Sequence, residues 1–387
     1  MSGWKNILIA ILGLAMLMVV HECGHFFIAR AYGMRVTKFS IGFGPTFFKI
    51  EPKDGYYWFT TAADRVRLRL WKHDDERQGS TVYQAAMIPF LAYVQIAGMN
   101  PLEDIDEADK GSYANASLMG RVLTIFGGPA ANYLFASVLF FVSVFFGGHL
   151  VRSTEVNVLE NRPAAAATLK NGDKIAVING VPVDEWDKMA DIISEHAGQA
   201  IPIVVERGGE RLTLSVTPAN EHGKGKIGVS SIGVRKVKVG AKVAAILAIK
   251  EPPLVVRQLV INLGELITGK VEGELSGPVG MVRQTAKVAR GGFTDLLAFL
   301  GALSAYLGAF NLIPFPALDG GRLMFLGYEA TTRRRPNARI EAQIHLVGIV
   351  MMLGLMVYVT VNDLRHTDNE DAPPAATSAP APAPSGK

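Results

Sequence analysis

The sequence contains little cysteine and few charged residues, and each shortage limits the bonds or the partners that the protein can have. Its 387 residues include one cysteine, Cys23, so no disulfide can form within the chain. Charged residues make up only 19%, whereas hydrophobic residues make up 49%. The formal net charge of +4 is small, and no basic stripe with interleaved aromatic residues is present. Together these features argue against a nucleic-acid partner.

Long apolar runs are present instead, and they predict a membrane protein. The runs cover about 7–31, 118–146, 296–325 and 344–361, and prolines and glycines interrupt the third. Each run provides the roughly 20 residues that are needed to cross the hydrocarbon core of a bilayer. The predicted fold class is therefore a polytopic α-helical membrane protein with about four transmembrane helices.

The first run has a second interpretation as a signal peptide. Lys5 precedes it, and Ala29-Arg30-Ala31 resembles a cleavage site. Cleavage there would discard the stretch that contains His21, Glu22 and His25, which is the most chemically distinctive part of the run. We therefore expect the run to remain as the first transmembrane helix.

The distribution of arginine and lysine predicts the orientation of the chain. Basic residues are concentrated after the first run and between the third and fourth runs, and such loops face the cytoplasm. Four crossings then place both termini and residues from about 148 to 294 on the outer side. The basic residues are Arg30, Arg35, Lys38, Lys49, Arg65, Arg67, Arg69 and Lys72 after the first run, and Arg333, Arg334, Arg335 and Arg339 between the last two.

Two regions between the apolar runs alternate apolar and polar residues as β-strands do. Residues 36–50 and 56–61 predict hairpins, which enter a membrane only when they are buried against protein or line a cavity. Residues 155–234 contain short strands joined by glycine-rich turns. Within them, 172–175 followed by 178–180 resembles the strand and turn signature of a PDZ domain, and a generic small β domain is the alternative.

Residues 21–25 read His-Glu-Cys-Gly-His and predict a metal site inside the first apolar run. On a helix, residues four apart lie on one face, so His21 and His25 can bind one ion, and zinc suits two imidazole nitrogens. Glu22 lies beside that ion and can take a proton from water. A polar patch facing a water-filled cavity is the alternative, but such residues in a membrane segment usually serve a function. Cys23 points away from His21 and is interpreted as a packing residue.

A catalytic zinc usually has three protein ligands, and Asp319 is the best candidate for the third. Few acidic residues lie in the apolar runs, and Asp319 follows a proline-rich break and precedes Gly320 and Gly321. Prolines break the helix there, and glycines let the backbone approach closely. The alternative is that Asp319 caps a helix that begins near Gly320.

Several motifs in one order make the chain similar to the site-2 protease family, in its bacterial RseP-like branch. They are the His-Glu-x-x-His stretch, Ser40–Pro45 as a re-entrant β-hairpin, Gly128-Pro129-Ala130-Ala131-Asn132, one PDZ-like module, Ser276–Gly280, and Asn311–Gly321. The resemblance covers about residues 1–365. It implies His21, His25 and Asp319 as zinc ligands, Glu22 as general base, and Zn²⁺ as cofactor.

The resemblance also implies how the substrate is handled. Asn311 and the neighbouring backbone, with Pro316, are expected to hold an unwound substrate strand, which would pair with an exposed strand edge. Residues 37–44, including Gly42, Phe43 and Gly44, are the candidates for that edge. Asn132 is expected either to support the site or to form a hydrogen bond between helices.

The implied function is zinc-dependent cleavage of single-span membrane proteins, such as anti-sigma factors or leftover signal peptides, after a first cut by another protease. The partners are these substrates and the lipid bilayer, in a bacterial inner membrane, with no nucleic acid. The PDZ-like module would filter substrates by size or bind a new C-terminus. A peptide-binding receptor, in which Glu22 is dispensable, and a metal transporter, which needs more intramembrane ligands, are the alternatives.

The sequence departs from the family pattern in its first loop. Residues 89–94 read Pro-Phe-Leu-Ala-Tyr-Val where the family typically has two glycines, and 62–81, with His73 among acidic residues, reads as an inserted solvated loop. The predicted division of the chain is 1–34 first transmembrane segment, 35–117 cytoplasmic-side loop with the hairpin, 118–147 second transmembrane segment, 148–236 PDZ-like domain, 237–294 amphipathic connecting segment, 295–327 third transmembrane segment, 328–343 cytoplasmic loop, 344–362 fourth transmembrane segment, and 363–387 disordered tail.

Overall fold

The computed structural model of the protein divides into two units. The helical unit comprises Met1–Val142 and Ile246–Lys387, and the β-rich unit comprises Ser143–Ala245. Each unit has its own clusters of buried apolar side chains. The structure describes residues 3–62, 66–73, 80–103, 106, 108–268 and 277–365. Residues 366–387 of the predicted disordered tail, the acidic residues after His73 and Ser276 therefore lie outside the described residues. Residues 363–365 were predicted to begin that tail, but they are the last residues of the helix Ala338–Arg365, so the prediction is wrong for them.

Four helices in the described part of the chain are long and apolar enough to span a bilayer: Trp4–Ala31, Leu118–Gly147, Phe293–Asn311 and Ala338–Leu364. The prediction of about four apolar helices of membrane-spanning length is thus confirmed. The main helices are α1 (Gly3–Ala31), α2 (Leu118–Gly147), α3 (Pro163–Ala166), α4 (Trp186–Glu195), α5 (Ala241–Ile267), α6 (Pro278–Gly291), α7 (Phe293–Asn311), α8 (Asp319–Thr332) and α9 (Ala338–Arg365).

The third apolar run is divided between two helices. α7 ends at Asn311, and α8 begins at Asp319. Pro314 and Pro316 lie in the intervening loop, where their rings prevent a continuous helix. Gly320 and Gly321 let this loop fold onto the first turn of α8, since a Cβ on Gly321 would clash with the main chain of Phe315. The break therefore places the first residue of α8, Asp319, within the third apolar run of the sequence.

A sheet of four strands follows α1, in the order β3-β2-β1-β4. Asp54 and Gly55 connect β1 to β2 with φ angles of 53° and 72°, the left-handed values that a two-residue hairpin turn requires. The hairpin predicted from the alternation pattern is thus present, although its insertion into a membrane stays a prediction. The strands are β1 (Val36–Lys53), β2 (Tyr56–Thr61), β3 (Arg67–Lys72) and β4 (Val82–Ile96).

β4 folds around the first half of β1, and this corrects the predicted substrate edge. Phe39 pairs with Val94 on one side and with Tyr83 on the other, and Ser40 pairs with Tyr93 and Gln84 in the same way. Residues 38–41 thus have partners on both sides, so the prediction of a free edge over 37–44 is wrong for these four residues, whereas it stays a prediction for Gly42, Phe43 and Gly44. The cause is a long-range pairing that alternation along one strand cannot reveal.

The β-rich unit is built around an antiparallel sheet in the order β10-β9-β7-β6-β13. Its core consists of aliphatic side chains that are removed from solvent, among them Ile175, Ile178, Ile203 and Val205 at 0% exposure. The strands are β5 (His149–Arg152), β6 (Glu155–Val158), β7 (Asp173–Ile178), β8 (Val181–Pro182), β9 (Ile201–Arg207), β10 (Glu210–Val216), β11 (Ala219–Glu221), β12 (Lys224–Lys226), β13 (Val229–Ser231) and β14 (Val234–Val237).

The glycine-rich motif at the start of α6 contacts the end of α9. The Asp363 carboxylate accepts hydrogen bonds from the main-chain N–H groups of Gly277 at 3.1 Å and Gly280 at 2.8 Å. These N–H groups have no partner within their own helix, and a negative charge is favourable at a helix N-terminus. A Cβ on Gly277 would lie 2.8 Å from Asp363 Oδ2, so this close approach requires glycine.

Candidate metal centre

The two histidines of α1 lie on one face of the helix, as their spacing predicts. Both are 5% exposed, and their Nε2 atoms are 3.1 Å apart. The rings meet edge to face with their centroids 4.7 Å apart. Two imidazole nitrogens therefore point to one buried position.

The hydrogen bond of His25 to α2 fixes which of its nitrogens carries the proton. Its Nδ1 is 2.8 Å from the main-chain oxygen of Thr124, which can only accept. Nδ1 is therefore protonated, and in a neutral ring Nε2 presents a lone pair toward His21. A histidine that binds a metal usually donates its second N–H to such an oxygen.

His21 has a different partner, the side chain of Asn132 on α2. The amide Nδ2 lies 3.1 Å from His21 Nδ1, and Asn132 is fully buried. Its oxygen, Oδ1, has no hydrogen-bond partner among the described residues. Turning the amide by 180° would let Oδ1 accept a hydrogen bond from the N–H at Nδ1, and this would leave a lone pair on His21 Nε2 as well.

Asp319 joins the histidines from the other end of the sequence. Its Oδ2 lies 3.1 Å from His21 Nε2 and 3.3 Å from His25 Nε2. It is the first residue of α8, whose N-cap is Leu318, and no side-chain cap is present at that position. The predicted alternative, in which Asp319 serves as the N-cap, is therefore wrong.

The arrangement of these donors fits a metal ion. His21, His25 and Asp319 each offer one ligand atom, and the three atoms lie within 4.8 Å of one another. Two of the buried side-chain oxygens that have no hydrogen-bond partner in the described part of the chain belong to this centre, Asn132 Oδ1 and Asp319 Oδ2. A cation at the convergence point would bind Oδ2 and both Nε2 atoms, and the turned amide would satisfy Oδ1. Two imidazoles and one carboxylate are a ligand set that zinc uses in hydrolytic enzymes.

Glycines on α1 and α2 make this arrangement possible, and the sequence motifs alone did not indicate why. A Cβ on Gly128 would lie 2.6 Å from His25 Cε1 and 2.8 Å from His21 Cε1. A Cβ on Gly127 would lie 2.7 Å from the oxygen of Gly24. Small residues allow such backbone approach between membrane helices. The Gly-Pro-x-x-Asn motif therefore supplies both a close contact and the partner of His21.

Glu22 is held by the sheet, another contact that the sequence did not predict. Its Oε2 accepts a hydrogen bond of 3.0 Å from the main-chain N–H of Val94. Val94 lies in the segment that departs from the family pattern. Because the donor is a main-chain group, no side-chain signal in the sequence could have identified it.

The remaining predicted residues are distributed around this centre. The Asn311 amide donates to the main-chain oxygen of Leu307, and Pro316 packs against Gly348 of α9. Gly42 is buried inside the sheet, and a Cβ on it would clash with the main-chain oxygens of Ala86 and Ile88, so Gly42 serves the packing of this hairpin. Cys23 packs against an apolar cluster, as predicted.

His73 corrects one further prediction. It is 8% exposed and contacts the ring of Tyr57 with the centroids 4.5 Å apart, so it does not belong to a solvated loop. Its main-chain N–H also donates to the oxygen of Gly55, at 2.8 Å. His73 is therefore a packing residue at the end of the sheet.

Comparison with known proteins identifies the class. Residues 9–63 and 66–355 match Peptidase family M50, and the chain belongs to this family. It is 29% identical to zinc metalloprotease RasP of Geobacillus kaustophilus over 90% of this chain and 95% of that one. It is 28% identical to zinc metalloprotease RasP of Oceanobacillus iheyensis, over 92% and 98%. The chain is a zinc metalloprotease of the site-2 type and a multi-pass membrane protein.

Solved structures of PDZ domains match part of the chain. The PDZ domain of an SdrC-like protein from Listeria monocytogenes is 22% identical, covering 21% of this chain and 86% of that one with a TM-score of 0.19. The corresponding domain from Listeria innocua is 23% identical, covering 23% and 100%, also with a TM-score of 0.19.

Proposed function

We propose that His21, His25 and Asp319 hold the zinc ion, and that Glu22 is the general base that cleaves a peptide bond within the membrane segment of another protein. The observation that carries this proposal is the convergence of both Nε2 atoms and Asp319 Oδ2 at distances of 3.1–3.3 Å. Thr124 and Asn132 support it by contacting the other ring nitrogens.

Glu22 is suited to move a proton beside this site. Zinc, when bound, polarises the scissile carbonyl and lowers the pKa of a water molecule toward about 7. The Val94 N–H holds Oε2 of Glu22, so Oε1 is the oxygen that takes the proton from the attacking water. The same carboxyl group then donates that proton to the leaving amine.

The substrate is expected to bind as an extended strand on the outer edge of β4. A helical substrate hides its peptide carbonyls in hydrogen bonds, and pairing with a strand edge exposes them. Residues 92–96 pair with β1 on one side, and the described residues form no strand on the other. A cavity of about 690 Å³ runs beside this edge, lined by Tyr93, Val94 and Ile96 of β4 and by His345 and Ile349 of α9.

The wider role follows from the membrane setting. The proposed substrates are single-span membrane proteins, such as anti-sigma-factor-like proteins or remnant signal peptides, after a first cut elsewhere. The two basic loops support an orientation with the β-rich unit and both termini outside a bacterial inner membrane. In that position the PDZ-like unit would filter substrates by size or bind a newly formed C-terminus, and Asn311 would help to hold the unwound strand.

The test is cleavage of single-span substrates by the purified full-length protein, with Glu22→Gln and His21→Ala as variants and zinc measured in each. The Glu22→Gln variant keeps the shape of the side chain but cannot take a proton. We expect it to retain zinc and to lose at least about 100-fold in cleavage rate. His21→Ala is expected to lose both zinc and cleavage.

A control separates the chemistry from the proposed substrate class. A soluble peptide that carries the cleaved sequence without its membrane segment should be cut far more slowly than the single-span protein. Equal cleavage by wild type and Glu22→Gln would refute the role of Glu22. Full zinc content in His21→Ala would refute the ligand assignment, and preference for the soluble peptide would refute the intramembrane function.

A further inference from the structure

An aromatic groove lies on one face of the sheet, next to the end of α1. It has a volume of about 610 Å³, within the range of about 300–1,000 Å³ that is usual for small-ligand sites. Its lining residues differ from those of the zinc site and from residues 92–96 at the outer edge of β4. Its walls include Phe39, Ile41, Phe48, Tyr57 and Trp71, and Arg30 is the cation that lines it.

The position of Arg30 places one end of the groove at the membrane surface. Arg30 is the penultimate residue of α1, a helix that is long and apolar enough to span the bilayer. Its guanidinium stacks on the ring of Phe26, 5.6 Å from the centroid. Arginine near the end of a membrane helix directs its charge to the headgroup level, while its stem stays among apolar groups.

The other walls of the groove are partly open to the surroundings of the protein. Trp71 is 58% exposed and Ile41 is 40% exposed. Tryptophan is enriched at the level of the headgroups, whereas isoleucine suits the hydrocarbon below them. The lining of the groove thus combines one cation with mainly apolar and aromatic side chains, which suits the charged headgroup and the apolar chains of a phospholipid.

We propose that the aromatic groove binds a phospholipid with an anionic headgroup. The phosphate contacts Arg30, and one acyl chain lies against Ile41 and Phe48. The neighbouring strand β3 carries Arg67, Arg69 and Lys72, all exposed, and these favour an anionic headgroup over a zwitterionic one.

Other occupants fit the groove less well. A free phosphate would gain one cation, but it would leave most of the apolar and aromatic lining of the groove uncovered. A peptide strand would need an open strand edge, whereas the groove lies on the face of paired strands β1 and β4. A phospholipid can contact Arg30 with its headgroup and the apolar lining of the groove with an acyl chain.

The test uses the full-length protein in phosphatidylcholine nanodiscs that contain increasing fractions of phosphatidylglycerol with brominated acyl chains. Bromine quenches tryptophan fluorescence at contact, and Trp71 reports on the groove. We expect saturable quenching at low phosphatidylglycerol fractions, and loss of that component in Trp71→Phe. Arg30→Gln should weaken the apparent affinity about fivefold, as expected for one basic residue at a lipid surface.

Two further variants keep the test decisive. Ala85→Phe fills the groove from β4 and should abolish the saturable component, with unchanged zinc content as the measure of correct folding. Arg257→Gln removes an exposed charge from α5 and should have no effect. Soluble glycerol phosphate should not compete. The proposal would be overturned by quenching that rises linearly with lipid fraction or that is equal for brominated phosphatidylcholine. It would also be overturned by quenching that neither Arg30→Gln nor Ala85→Phe changes, or that glycerol phosphate reverses.

Discussion

Each of the two units of the molecule is stabilised internally in its own way. The β-rich unit has a conventional core, in which Ile175, Ile203 and Val205 are removed from solvent. In the helical unit, α1 and α2 instead approach through Gly24 and Gly128, with buried polar groups between them. Lipid is as apolar as leucine, so membrane helices gain little by burying large apolar side chains and rely on close packing and hydrogen bonds. A single added methyl group should therefore do most damage in the helical unit.

One ion pair from each unit shows how exposure changes the value of such a contact. In the helical unit, Arg121 of α2 and Glu329 of α8 form two hydrogen bonds of 2.9 and 2.6 Å, and their side chains are 9% and 15% exposed. In the β-rich unit, Lys174 and Glu206 are 54% and 32% exposed. Water screens an exposed pair, so the same type of contact has unequal value in the two places.

The largest effect is expected from Gly128→Ala. The new Cβ would overlap the rings of His21 and His25, so we expect loss of bound zinc and at least about 100-fold loss of cleavage. Gly327→Ala is the matched control, because it lies in α8 with no atom within 4 Å of its added Cβ. It should keep zinc and activity. Retention of zinc by Gly128→Ala would contradict the role given to this close contact.

The next largest effect is expected from Glu329→Gln. It leaves Arg121 as an uncompensated buried charge, which typically costs about 3–5 kcal/mol. The thermal denaturation temperature of the purified protein should therefore fall clearly. Replacing both partners by apolar residues, as Arg121→Met with Glu329→Leu, should recover much of the loss. A double variant less stable than Glu329→Gln would show that the pair itself stabilises the contact between α2 and α8.

A pH dependence is expected from the buried pair of the β-rich unit. Arg207 donates two hydrogen bonds of 2.7 Å to Asp173 and holds the pKa of that carboxyl below its usual range. A lowered folded pKa gives stability that is present above about pH 4 and is lost as the pH falls through the folded value. Unfolding of residues 155–231 in the full-length protein, followed by pulsed hydrogen exchange, should show this loss. Asp173→Asn should be less stable at pH 7 and should flatten the profile.

The smallest effect is expected from Lys174→Ala, which removes the exposed partner of Glu206. Water screens an exposed pair, so it contributes little, and Arg211 still contacts Glu206 in the variant. The midpoint of urea unfolding of the β-rich unit should change little. A change as large as that of Glu329→Gln would remove the contrast between the two units.

The parts of the site that sequence could predict are those with a chemical signature. His21 and His25 follow from a spacing of four residues on a helix, and Asp319 follows from the scarcity of acids in apolar runs. Thr124 and Val94 could not be found in this way, because they act through main-chain atoms that every residue possesses. Gly128 belongs to a recognisable motif. The reason that glycine is needed there is its contact with α1, which lies more than 100 positions earlier in the chain.

The fold shows the same limit. The turn at Asp54-Gly55 and the four apolar helices depend on local pattern, and both were predictable. The pairing of β4 with both sides of β1 depends on residues that are distant in the sequence, and the predicted free edge was wrong at residues 38–41 for that reason. The alternation pattern indicates that a strand exists without indicating which side remains open.

The separation of Asp319 from His21 along the chain has a consequence for biosynthesis. The histidines are made within the first tenth of the protein, whereas Asp319 emerges only after α7 has been synthesised. A nascent chain therefore carries Glu22 in the membrane without a complete ligand set. On the proposed ligand assignment, a chain that ends before α8 cannot complete the metal centre, so the centre can form only late in synthesis.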